Sequence, residues 1–263
     1  ATWEGEESNK MRVHNGVDGF FGGDRTKIEL PEVQQNALIE ISKTGKPIIF
    51  VLLAGSAISF NGLEDKLDGI LAAWYPGQRG GDAVADVLFG KYNPAGRLPI
   101  TFYSSTNELG DFEDYNMRAG KGLTYRYYNG EALFPFGHGM SYTKFHYSGL
   151  TINSATVSNN DEIYVSVKVK NIGELDGEEV VQLYIKDVKS NTWMPHKQLR
   201  GFARISLKKD EEKIVNFVLK PRDDLRYYDE IKQDYAVEPG EFEIQIGSSS
   251  KDIRLKKTIK VIY

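Results

Sequence analysis

Three carboxylates crowd the start of the chain: Glu4, Glu6 and Glu7 surround Gly5, with Trp3 alongside. A glutamic acid on a loop beside an aromatic ring is the kind of group whose pKa apolar surroundings raise toward that of a general acid. Adjacent residues seldom point the same way, so the three do not form an evident carboxylate pair. On local sequence alone, a solvated acidic segment is the plainer reading. Four histidines, His14, His138, His146 and His196, have no partner at metal-ligand spacing, which favours structural or surface roles. Ser56 follows Gly55 in G-S-A-I-S, which is not the G-x-S-x-G elbow of an activated serine. The turn Gly77-Gln78-Arg79-Gly80-Gly81 opens a helical pattern and could receive an anion. It matches neither dinucleotide nor phosphate-loop spacing and runs into Asp82, which favours a structural role. Residues 111–128 combine Asp111, Phe112, Glu113, Asp114, Tyr115 and Arg118 with Tyr125 and Arg126. That mixture suits a polar, ring-shaped ligand as well as it suits an inter-domain linker pinned by aromatics.

These groups need a scaffold, and the 263 residues suffice for two domains at the usual ~100–200 residues each. Hydrophobic residues are 40% and charged residues 27%, a globular composition. Lys plus Arg number 33 against 37 Asp plus Glu, a net charge of −4, which argues against a broad electrostatic grip on nucleic acid. The longest apolar run, residues 48–54, falls far short of the ~20 that span a bilayer, so membrane insertion is not expected. No signal peptide pattern opens the chain; export would require one already removed. Cysteine is absent, which removes thiolate nucleophiles, disulfides and Cys-based zinc sites.

The composition changes near residue 145. Residues 1–27 are polar and glycine-rich, and a loop of that length is usually functional or disordered. Pro31 opens a helical pattern through Val33, Ala37, Leu38 and Ile41, with Gly45 as its stop. The apolar runs 48–53 and 69–75 read as buried parallel strands, 82–89 as a second helix and 98–103 as a third strand. Trp74, inside such a run, reads as core. Strands alternating with helices imply a parallel α/β sheet, here incomplete, with unpaired edges exposed. Beyond residue 145 the chain alternates with period two. Ile163, Val165, Val167 and Val169 set the pattern; further runs follow around Val181, Ile214, Phe242 and Ile259, separated by turn residues. This is the pattern of a β-sandwich. The expected architecture is therefore α/β plus all-β, with domains over 1–145 and 146–263.

A longer set of motifs resembles glycoside hydrolase family 3. It comprises Ala72-Ala73-Trp74-Tyr75-Pro76-Gly77-Gln78, Gly80-Gly81, Ala85-Asp86-Val87-Leu88-Phe89-Gly90, Asn93-Pro94, Gly96-Arg97-Leu98-Pro99 and Phe134-Pro135-Phe136-Gly137-His138-Gly139-Met140-Ser141-Tyr142-Thr143. Gly23-Asp24-Arg25 with Leu30-Pro31 fits as well, and Lys197-Gln198-Leu199-Arg200-Gly201-Phe202 resembles that family's C-terminal fibronectin type III-like domain. The resemblance implies an incomplete α/β sandwich domain followed by a fibronectin type III-like β-sandwich. It also implies a retaining, exo-acting β-glycosidase of the β-glucosidase or β-xylosidase type.

In many members of that family the acid/base is a Glu in a Gly-Glu motif ahead of an Asp-Arg pair. Here Gly5-Glu6 precedes Asp24-Arg25, so the resemblance makes Glu6 the catalytic acid/base candidate, with Glu4 and Glu7 as rivals. Trp3 beside it is a substrate-binding candidate. The family's nucleophile is an Asp on a (β/α)8 barrel of about 250 residues, which this chain does not contain. The implied partners are a β-linked oligosaccharide or β-glycoside substrate and an N-terminal barrel bearing the nucleophile. No cofactor is implied, and periplasmic or secreted location follows from the substrate class. Tyr125 and Arg126 read as structural rather than catalytic. The alternative function is a non-catalytic carbohydrate-binding or structural subunit, with Trp193 and Tyr184 as a stacking platform.

Overall fold

A computed structural model describes residues 19–21, 24–190 and 192–262. Trp3, Glu4, Gly5, Glu6, Glu7 and His14 lie outside the described residues. The chain divides into two compact units. The first holds the described residues up to Tyr92, with Ile100–Leu123 and Asn129–Phe134. The second holds Asn93–Pro99, Thr124–Tyr128 and everything described from Pro135 onward.

In the first unit, β1 (Phe20–Phe21) and β2 (Asp24–Arg25) form a short antiparallel pair. Helix α1 (Glu32–Ser42) starts directly after Pro31, whose fixed φ and missing N–H suit a helix entrance, and buries Leu38. Strands β3 (Ile49–Leu52) and β4 (Gly69–Ala72) pair in parallel, with Ile49 opposite Gly69 and Leu52 opposite Ala72. Helix α2 (Gly80–Leu88) follows. The expected third strand over 98–103 does not form. Among the described residues the stretch contributes an isolated bridge from Phe102 to Phe134, and residues up to Pro99 belong to the second unit. Proline at 99 supplies no ladder N–H, which leaves the stretch without a continuous edge. Ile49, Val33, Ile41 and Phe89 remain exposed on this unit.

The second unit is a sandwich. One sheet has the order β10 (Glu212–Leu219), β7 (Ile163–Asn171), β5 (Phe145–Ile152). The other runs β6 (Thr156–Val157), β14 (Ile253–Val261), β13 (Gly240–Gly247), β8 (Gly177–Asp187), β9 (Gln198–Leu207). A hairpin of β11 (Tyr227–Asp229) and β12 (Asp234–Ala236) stands apart, and two single-turn helices, α3 (Thr124–Tyr127) and α4 (Pro221–Asp224), complete the unit. The inward residues of β7, Ile163, Val165, Val167 and Val169, are wholly buried against Val181, Leu183, Ile244 and Ile246. Each such side chain contributes roughly 1.5–3 kcal/mol.

Strand β8 departs from a one-sided pattern. Gln182 and Tyr184 point away from that core and are buried as well. Gln182 Nε2 donates to the carbonyls of Gly137 and Ser248, and the Tyr125 ring meets Tyr184 edge-on at 5.9 Å. The outer sheet face is thus roofed by residues from the stretches 124–128 and 135–139.

Candidate functional site

The described chain enters the first unit at the Asp24-Arg25 landmark. Thr26 N–H donates to the Gly19 carbonyl at 2.7 Å and closes the β1–β2 turn. Arg25 Nη1 then donates to Ser56 Oγ at 2.9 Å and to the Ala57 carbonyl at 3.4 Å. Both acceptors lie just past the carboxyl end of β3, the edge at which open α/β sheets present functional groups. Glu29 continues the anchor. It forms a parallel bridge with Ser59, and its carboxylate accepts the Thr106 N–H at 2.7 Å and the Thr106 hydroxyl at 2.6 Å. Burial pushes its pKa up, but the Thr106 hydrogen bonds and nearby Lys27 outweigh that and leave it below the ordinary carboxylate value. A carboxyl held ionised in this way is a brace, unsuited to donating a proton near neutral pH.

Trp74 corrects the core expectation. It lies beyond the carboxyl end of β4, half-buried, with φ +53°. A bulky aromatic residue in the left-handed region is an outlier of the kind that surrounding structure must hold in place. Its ring meets Phe102 edge-on at 6.5 Å, and exposed Tyr75 follows. Arg25, Ser56 and Trp74 therefore occupy the carboxyl ends of the two parallel strands.

The other sequence candidates disperse. Arg79 Nε pairs with Asp82 at 3.0 Å in the exposed turn ahead of α2, so the turn's guanidinium serves the helix's own acidic residue. Among the described residues no three potential metal ligands gather. His138 is half-buried; burial first, then Arg97, lowers its pKa, against an opposite pull from Asp252. His196 Nε2 contacts the Tyr127 carbonyl at 3.1 Å. Residues 111–128 split between the units: 111–123 stay with the first, where Phe112 and Tyr115 are exposed, and 124–128 join the second. There Tyr125 stacks on Phe136 at 4.3 Å and its hydroxyl accepts the Leu199 N–H at 3.0 Å. The platform of Trp193 with Tyr184 is excluded, because Tyr184 is wholly buried on the roofed sheet face while Trp193 is exposed.

The glycine motif around residue 137 acquires a physical reason within the second unit. Leu98 N–H donates to the His138 carbonyl and Gly137 N–H to the Leu98 carbonyl, both at 2.8 Å. A Cβ on Gly139 would sit 2.1 Å from the Gly96 carbonyl oxygen, so this crossing requires glycine. Gly139→Ala is expected to destabilise the second unit by about 1–3 kcal/mol, through forced backbone displacement. Urea unfolding followed by far-ultraviolet circular dichroism measures it; an unchanged midpoint would refute the close approach. Beside this crossing Arg97 Nη2 pairs with Glu179 Oε1 at 2.6 Å, the side chains only 9% and 3% exposed. Periodicity carries no signal for that pair, nor for the Arg25 anchor.

An α/β unit with its functional edge at strand carboxyl ends, joined to a fibronectin-like sandwich, defines the class. Residues 2–142 match the glycosyl hydrolase family 3 C-terminal domain, and residues 179–250 match a fibronectin type III-like domain. The chain belongs to glycosyl hydrolase family 3. It is 44% identical over 255 residues to a xylan 1,4-beta-xylosidase of Xylanibacter ruminicola, covering 97% of this chain and 28% of that protein. It is 46% identical over 251 residues to thermostable beta-glucosidase B of Acetivibrio thermocellus, covering 91% of this chain and 33% of that protein. The crystal structure of a GH3 beta-glucosidase from Bifidobacterium adolescentis superposes with a TM-score of 0.83 at 31% identity, covering 92% of this chain and 37% of that one. The chain thus spans about a third of the length of the relatives it matches.

Proposed function

We propose that this chain is the acid/base-bearing portion of a retaining, exo-acting β-glycosidase that releases terminal β-D-xylosyl or β-D-glucosyl residues. The observation that carries this reading is the Arg25 anchor. The residue closing the segment that contains Glu6 is fastened at the carboxyl end of β3, beside Ser56. Relatives named as a β-xylosidase and a β-glucosidase support the substrate class.

Retaining hydrolysis requires two carboxyl groups, usually about 5–5.5 Å apart. In this reading Glu6 protonates the departing glycosidic oxygen while an Asp on the N-terminal barrel attacks the anomeric carbon. Glu6 then deprotonates the water that releases the sugar. Trp3 lines the leaving-group side. A loop-borne acid closes over the sugar and excludes bulk water during the reaction. Arg25, held by Ser56, and Glu29, held by Thr106, anchor the chain that follows this segment. A polysaccharide-derived substrate places the enzyme in the periplasm or outside the cell.

The test is hydrolysis of aryl β-xyloside and aryl β-glucoside by this chain alone and by the same chain with its upstream barrel. Activity restricted to the combination is the expected result, and the better substrate ranks the two sugars. Turnover by the isolated chain would place both carboxylates within it and refute the divided site. Silence from a folded, assembled combination would overturn the glycosidase reading.

A further inference from the structure

The turn that leaves β4 in the first unit is pinned at two points and holds an aromatic ring in solvent between them. Strand β4 ends at Ala72, and Ala73 N–H donates to the Leu52 carbonyl at 2.9 Å, which carries the pairing with β3 one residue further. Trp74 then enters the left-handed region at φ +53°. Glycine or asparagine adopts that backbone at least cost, and tryptophan is strained there. The Trp74 ring is fixed edge-on against buried Phe102, which meets Phe134 at 6.1 Å. Pro76 packs on the start of α2 so closely that a Cβ on Gly80 would sit 2.5 Å from the proline ring. Tyr75, between these fixed points, is 64% exposed. The arrangement strains one aromatic residue and gains no burial for the next. Strain of this kind persists where the surrounding structure imposes it, and it concentrates at ligand sites.

We propose that Trp74 and Tyr75 form the platform that binds the departing sugar ring of the substrate, a specificity-determining site on the leaving-group side. This rests on the glycosidase reading above. In that reading the general acid protonates the oxygen of the departing sugar, so that sugar lies on the side of the chain carrying the acid. The segment containing Glu6 runs into Arg25, which is held by Ser56 just past the carboxyl end of β3. Strands β3 and β4 pair in parallel, with Leu52 opposite Ala72. Paired strands lie about 4.8 Å apart, so the turn after β4 stands at the same sheet edge as Ser56. Ligands of open α/β sheets bind at that edge. A sugar ring offers an apolar C–H face to an aromatic side chain and leaves its hydroxyls to polar groups. Such a platform reads a ring and not a pattern of hydroxyls, so it accepts xylose or glucose in the departing position.

The experiment compares two substrates of the better-cleaved sugar, using this chain combined with an N-terminal barrel. One is the disaccharide, xylobiose or cellobiose. The other is the β-D-xylosyl or β-D-glucosyl fluoride, whose leaving group is a single atom and has no ring to stack. Trp74→Ala and Tyr75→Ala are each expected to lower kcat/KM for the disaccharide about ten-fold more than kcat/KM for the fluoride. Tyr75→Phe keeps the ring and is expected to retain the parent ratio of the two. Tyr75 is exposed, so its replacement tests the platform even where Trp74→Ala fails to fold. An equal fall on both substrates in Tyr75→Ala would mean that the turn serves structure alone, and would overturn the proposal. So would a ratio unchanged in Tyr75→Ala, or one lost as fully in Tyr75→Phe. A folded, assembled parent that cleaves neither substrate would refute the glycosidase reading itself, whereas an active parent with an unaltered ratio would refute only the platform.

Discussion

If the proposed divided site holds, Glu6→Gln in this chain combined with an N-terminal barrel is expected to lower hydrolysis of an unactivated β-glycoside by about 10²–10⁴-fold, the usual contribution of a positioned general acid. Glutamine keeps the size and hydrogen-bonding capacity of the side chain but cannot give up a proton to the glycosidic oxygen. Substrates with a good aryl leaving group need little protonation, so their first step suffers less, and the covalent sugar intermediate accumulates because water lacks a base. The size of the loss should therefore shrink as the leaving group improves. In Glu6→Ala, azide needs no deprotonation and fits the vacated space; it is expected to restore turnover and yield the glycosyl azide. Glu4→Gln and Glu7→Gln are the internal comparison and are expected to retain activity. A full loss at Glu4 or Glu7, with Glu6→Gln active, would move the acid/base to that neighbour while leaving the mechanism intact. Rescue by azide at none of the three would remove the acid/base role from this segment.

Much of the fold is legible in the sequence where one physical rule dominates. Strand β7 alternates strictly because one face is core and the other solvent. Helix α1 begins where Pro31 permits and not before. Legibility fails where two rules compete. Strand β9 was not expected, because Gly201 and Ala203 interrupt its apolar alternation. The structure explains the gap at 201: a Cβ there would meet the Phe217 ring at 2.9 Å. Strand β5 is obscured by a register shift between Ser148 and Thr151 around Gly149. Tyr184 reads as a surface platform because the ring that covers it on the outer sheet face, Tyr125, is far away in sequence, which no local pattern reveals. Trp74 read as core because its apolar neighbours continue past the strand end, whereas backbone φ is set by the turn that follows. The motif around Gly96, Gly137 and Gly139 is legible as a resemblance, but its cause is not. That cause is a backbone crossing too tight for side chains. The Arg97–Glu179 contact joins residues 82 apart and is invisible to spacing arguments.

That contact carries the second large effect. Arg97 and Glu179 are nearly solvent-free, and Glu179 Oε1 accepts both the Arg97 Nη2–H at 2.6 Å and the Val180 N–H at 2.8 Å. A buried pair of this kind gains little over well-packed apolar residues, because desolvating two ions offsets most of their attraction. Removing one partner is different, since the other then stays buried and uncompensated. Arg97→Met is expected to destabilise the second unit by about 3–5 kcal/mol, and Glu179→Leu by a similar amount. The double variant Arg97→Met with Glu179→Leu should recover most of the loss, giving a large coupling in a double-mutant cycle. Lys209→Met, which breaks the exposed pair with Glu174, should leave the unfolding midpoint where it was. Urea unfolding of the parent and the four variants, followed by circular dichroism, separates the outcomes. Additive losses in the double variant would mean that Arg97 acts through packing beside Gly139 and not through its charge. Recovery would mean that the arginine of the Gly96-Arg97-Leu98-Pro99 motif acts through its charge on Glu179. The segment from the α/β half of the sequence would then be locked to the sandwich by charge as well as by the glycine crossing.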